Sequence, residues 1–333
     1  MIKVLKISVL LLVSSLLYTC SDSQDKTKVL NNNSALAIST PIVRLDTLLL
    51  ACHSKDDIKD FIHQNRSVIS TYFPEQQFGN QLAISTMLLD LTNNTALQNF
   101  HQQIDSLYDF GALEQQLGQA FGRIKSQYPS FKPPRVCTMF TGFTSSDLYV
   151  SDSLIVIGLD FFGGPKAKFR PQIYQYQLHR YAPEYLLPQI MTLLSAKYNT
   201  SNLEDQSLLA DMIFYGKSYE FVHQMLPNTP DSLIIGYSGV ELNETETAQD
   251  LIWGHFIDEQ LLYKTDEFSK KKYIGDAPKT PAIGPRCPGS IGRWLGWKIV
   301  RKYLENQPNM ALNTLMNNAK AQQILEGSKY RGQ

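Results

Sequence analysis

Residues 203–226 read "LEDQSLLADMIFYGKSYEFVHQML", and this stretch decides the fold. Leu208, Met212, Tyr215, Tyr219, Val222 and Leu226 recur at alternating spacings of four and three. That period is the signature of an amphipathic α-helix. Ser201 and Glu204 are placed to form a capping box at its start.

The pattern repeats on both sides of this helix. Upstream, Ser54 followed by Asp57 opens a helix in "KDDIKDFIHQNRSVISTYF", and residues 95–128 read as two helices with a break near Phe110-Gly111. Downstream, helices are expected over 250–263, over 290–306 and within 310–326, with Gly327 as a stop. Between these groups the period changes. Residues 135–143, 147–150 and 153–159 are short, rich in β-branched and aromatic residues, and separated by "TSS" and "SDS". They read as an antiparallel meander. Ile42 to Asp46 alternates like a first strand. The expected fold is α+β: one mainly helical domain over 41–333 with a small antiparallel sheet.

The N-terminus has a different character. Lys3 and Lys6 precede an apolar run from Ile7 to Tyr18, interrupted only by Ser14 and Ser15. A bilayer span needs about 20 apolar residues, so this shorter run reads as a signal peptide over 1–19. Leu17-Tyr18-Thr19-Cys20 resembles a bacterial lipobox, which makes Cys20 the expected lipidation site. Residues 20–40 are then the lipidated cysteine and a polar tether.

Composition excludes some classes. The chain has 333 residues, 43% hydrophobic, with 31 basic and 31 acidic side chains. A balanced charge gives no basic face for nucleic acid. Cys52, Cys137 and Cys287 are far apart in sequence and include no C-x-x-C, so a thiolate zinc site is not expected. One disulfide plus one thiol, or three thiols, both fit. No two of the six histidines stand three or four apart, and H-E-x-x-H and G-x-S-x-G are missing. Glu220 and His223 form one E-x-x-H, for which a solvated helix face is the plainer account. His179 with Glu184 is a weak base-and-orienter pair. The segment with most binding character holds Arg286, Pro288, Arg293, Trp294 and Trp297, because Trp and Arg dominate interface hot spots. Gly292 and Gly296 within it read as a close-packing pair.

Several stretches together resemble one family, the gliding-motility lipoprotein GldB of the Bacteroidota. They are "VRLDTLLL", "STYFP", "LIVIGLDFFGG", "RYAPEYLLPQI", "SLLADMIFYGKSYEFVHQMLP", "LIIGYS", "IWGHFIDEQLLY", "RCPGSIGRWLGWKIVRKYL" and "ILEGSKYR". The resemblance runs over about residues 40–331. It implies an envelope protein of the gliding machinery linked to type IX secretion, with other gliding or secretion proteins as partners. It also implies anchorage to a membrane and exposure to the periplasm.

The family looks like a relative of zinc-peptidase-like proteins. In those, an H-E-x-x-H helix precedes a second helix carrying a glutamate ligand. Here "PQIMTLLSAKY" stands at the first place without His or Glu, and Tyr215 stands at the glutamate position. A catalytic zinc needs three protein ligands and a base. The resemblance therefore implies a zincin-like scaffold without metal or other cofactor, acting by binding. The alternative is a membrane-tethered hydrolase using His179, Glu184, Glu220 or His223.

Overall fold

The computed structural model describes residues 37–333. The expected signal peptide, Cys20 and most of the tether lie outside the described residues. The end of the expected tether belongs to the fold: the Ile38 amide donates to the Gly118 carbonyl at 3.0 Å.

Four strands and sixteen α-helices occur among the described residues. The strands are β1 (Ile42–Arg44), β2 (Arg135–Met139), β3 (Leu148–Val150) and β4 (Leu154–Gly158). The architecture is α+β and mainly helical, and one continuous hydrophobic core runs from Ile42 to Tyr330.

The sheet is mixed, which corrects the expected antiparallel meander. Its order is β1-β2-β4-β3. β1 pairs parallel with β2, and β2 parallel with β4; only β3 and β4 are antiparallel. The reason lies in burial. β2 and β4 each carry four consecutive buried residues. Strands covered on both faces are typical of parallel sheets. β3 is half-buried along its length and forms the outer arm of a hairpin with β4. Residues 140–147 carry the chain past the place that β4 later fills.

The local helix signals act as read. The Ser54 hydroxyl accepts from the Asp57 amide, and the Ser54 amide donates to the Asp57 carboxylate, closing the capping box. The 95–128 region forms helices Thr95–Asp105 and Phe110–Gln127. Two details differ. Ser207, not Ser201, caps the central helix Leu208–Met225, accepting from the Ala210 amide at 3.1 Å. The last helix, Ala321–Ser328, runs through Gly327 and stops at Lys329, whose φ is +53°. Gly327 serves packing instead: a Cβ there would meet the Tyr303 ring at 2.6 Å.

The central helix is the larger correction. It is buried on nearly all sides, against Leu186–Ser195, Phe110–Gln127 and above all Ile291–Glu305. Its polar residues Lys217, Ser218 and Glu220 are buried with dedicated partners. Lys217 donates to the carbonyls of Thr200, Met316 and Asn318 at 2.6, 3.2 and 2.9 Å. Ser218 receives a bond from Asn199 at 2.8 Å. Such satisfied groups are what make a buried polar residue tolerable. Burial pushes the Lys217 ammonium down to about 8.

Candidate functional site

The helix Ile291–Glu305 lies along the central helix and carries Arg293, Trp294 and Trp297. Its tryptophans are not surface anchors. Trp294 and Trp297 are 1% and 2% exposed. Trp294 Nε1 donates to Glu246 at 3.3 Å, and Trp297 Nε1 to Glu220 at 3.1 Å. The residue types resemble a hot spot because buried aromatics serve cores and interfaces alike.

Glu220 and His223 do not form a solvated face. Glu220 also receives Gln224 Nε2 at 3.0 Å and lies 3.5 Å from Arg301 Nε. The Arg301 guanidinium stacks on Trp297 at 4.0 Å and grips both oxygens of Asp231. His223 Nδ1 stands 3.4 Å from the same carboxylate. Burial alone would raise the Asp231 pKa, but His223 and Arg301 outweigh it and hold the carboxyl below its usual range. The network ties two helices and the Asp231–Ile235 turn together.

Tyr215 faces a cation. The Arg293 guanidinium sits 4.2 Å over its ring, and Arg293 Nε donates to the Ile274 carbonyl at 2.7 Å. Tyr219 lies beside the same guanidinium. His179 Nε2 bonds the Gly236 carbonyl at 3.0 Å, a carbonyl shared with Arg180 Nε at 3.1 Å. Glu184 is exposed. His179 and Glu184 thus stand apart from the network that holds Glu220 and His223.

Arg286 and Pro288 line an open groove. The 279–288 loop folds on itself through a bridge between Lys279 and Pro288, and the Thr280 hydroxyl donates to the Pro288 carbonyl at 2.8 Å. Ile283 and Pro285 form one wall of the groove, Ala248, Leu251 and Ile252 the other. The Arg286 side chain is 82% exposed at its rim and bonds Glu244 at 3.0 Å. Cys52, Cys137 and Cys287 are all free thiols.

Two clusters were not legible in the sequence. Both stand just past the carboxyl ends of the parallel strands. Asp46 is fully buried and accepts from His101 Nε2 at 2.7 Å, Arg44 Nε at 3.0 Å and the Thr138 hydroxyl. Asp46, His101 and Asp105 group closely enough to hold a cation. The Arg44 guanidinium already bonds both carboxylates there. Asp160 follows β4, is 1% exposed, and accepts from the Thr141 and Phe143 amides at 3.3 and 2.6 Å. Its other oxygen is unpartnered. Burial raises its pKa to about 6, against the pull of those amides. The near-neighbours Arg44 and Asp46 were the only local hint.

A family model described as gliding motility protein GldB matches residues 26–332. The chain belongs to the GldB family. No curated protein and no solved structure matches it. GldB membership makes this a gliding-motility protein and associates it with the cell envelope. Among the described residues, no helix is long and apolar enough to cross a membrane.

Proposed function

We propose that this GldB-family chain is a non-catalytic lipoprotein of the gliding machinery, tethered through Cys20 and acting by protein–protein interaction. The link to type IX secretion, like the zinc-peptidase-like ancestry, comes with the family resemblance. The observation that carries the non-catalytic reading is Arg293 over Tyr215 at 4.2 Å. A fixed cation beside the expected ligand position opposes a metal dication there. The groove rimmed by Arg286 is the proposed partner surface, since an exposed arginine beside an apolar wall fits an interface rim and core.

The test compares two full-length variants in cells that lack the native copy. Arg286→Glu is expected to abolish surface spreading at unchanged protein level, while His223→Gln spreads normally. Loss of spreading in His223→Gln with Arg286→Glu intact would favour a hydrolase and sink the binding reading. Bound zinc near one per purified full-length chain would do the same.

A further inference from the structure

One surface segment carries charge of a single sign. From residue 161 to 183 the chain has no Asp or Glu, yet Lys166, Lys168 and Arg170 stand within five positions. All three are exposed, and none is in an ion pair among the described residues. The acids that bond this segment are engaged further along it. Asp276 is held by Gln177 and Arg180 at 2.6 and 2.9 Å, and Asp147 by the Tyr181 hydroxyl at 2.7 Å. Two rings accompany the cations: Tyr174 is 72% exposed and Phe169 36%.

The loop is pinned from beneath. Ala167 and Pro171 are buried, while their neighbours Lys166, Lys168 and Arg170 face solvent. The Lys168 amide donates to Gln103 Oε1 at 3.1 Å, and the Phe169 ring meets Phe100 edge-on at 5.2 Å. Both supports belong to the helix Thr95–Asp105. The Arg44 guanidinium bonds Asp105 at the end of that helix. Arg44 follows Ile38, where the N-terminal segment joins the fold. The basic loop and the N-terminal entry therefore meet at one helix.

The lysines select the kind of partner. Protein interfaces are depleted in Lys. An anionic lipid surface attracts Lys and Arg, each worth about fivefold in affinity, and aromatic rings settle at its headgroup level. A chain already held at a membrane keeps such a loop at high local concentration, so modest attraction suffices.

We infer that the 166–174 loop docks on an anionic lipid surface, with Lys166, Lys168 and Arg170 on headgroup phosphates and Phe169 and Tyr174 at the headgroup level. This goes beyond the reading above. It requires only that the chain be held at a membrane, and it does not depend on the Arg286 groove.

For the test, the full-length chain is reconstituted on vesicles of phosphatidylcholine alone or of equal parts phosphatidylcholine and phosphatidylglycerol. Lysines are briefly acetylated and read by mass spectrometry. Lys166 and Lys168 are expected to react about fivefold more slowly on the anionic vesicles. Lys55, Lys132 and Lys320, exposed elsewhere on the chain, are expected to react alike on both. Salt at about 1 M shortens the screening length to about 3 Å and is expected to remove the difference. In a second arm Tyr174 is nitrated. The variant K166Q/K168Q/R170Q is expected to lose the protection of Tyr174 on anionic vesicles. The variant K55Q/K132Q/K320Q, with the same change of charge, is expected to keep it. Equal rates for Lys166 and Lys168 on both vesicles, equal slowing of the three control lysines, or Tyr174 protection that survives K166Q/K168Q/R170Q would overturn the inference. Protection by added polyglutamate on neutral vesicles, with none from anionic vesicles, would also overturn it and reassign the loop to an acidic protein. If Arg286→Glu leaves spreading intact while the loop stays protected, the groove is wrong and this surface stands.

Discussion

Gly216 and Gly296 meet where the central helix crosses Ile291–Glu305, backbone against backbone. A Cβ on Gly216 would lie 2.5 Å from the Gly296 carbonyl carbon, and one on Gly296 would collide with the Met212 carbonyl oxygen. This approach lets Trp297 reach Glu220 and Arg293 reach Tyr215.

Gly216→Ala and Gly296→Ala are therefore expected to destabilise the chain, each by about 1–3 kcal/mol or more, as overpacking does. The measurement is the urea midpoint. Gly254→Ala is the control, because its Cβ would meet nothing within 4 Å in the helix Gln249–Asp258. It is expected to be neutral or stabilising by up to about 1 kcal/mol. Equal midpoints for all three would refute the crossing as a close-packing point.

Trp297→Phe keeps an aromatic ring but removes the donor to Glu220. The expected cost is about 1–3 kcal/mol from the buried carboxylate oxygen left without that bond. Trp294→Ala should cost about 3–5 kcal/mol as a cavity in the core. Chemical denaturation reads both. A loss of partner capture at unchanged stability would restore these rings to the surface role.

Two buried aspartates give opposite pH slopes. His101, Arg44 and Thr138 overcome the burial of Asp46 and hold its pKa below the ordinary value. Its stabilisation is present above about pH 4, the unfolded value, and is lost as pH falls below it. Asp160 is raised to about 6, so its folded form keeps a proton that the unfolded chain releases. Its contribution is fully present below about pH 4 and declines as pH rises to about 6. Asp46→Asn is expected to flatten the acid limb of stability against pH, and Asp160→Asn the fall between about pH 4 and 6. Unchanged slopes in either variant would remove that residue from the account.

Short-range chemistry was legible. The Ser54–Asp57 box, the break between residues 105 and 110, and the helix over 291–305 follow from neighbours within a turn or two. Residue type alone misassigned Trp294 and Trp297, because a large aromatic with a polar tip suits an interior and an interface equally. The spacing of Leu208 to Leu226 gave the helix, but not that its intervening Lys217 and Glu220 would be buried too.

The sequence by itself determined the helical character, the order of helices around a short β-rich segment, and the family. Those are carried by local periodicity, capping and motif order. Only the tertiary structure decided that β4 inserts between β2 and β3, that Asp46 meets His101 across 55 positions, and that Arg293 stands over Tyr215. These depend on which surfaces are buried against each other, and burial is a property of the whole chain at once.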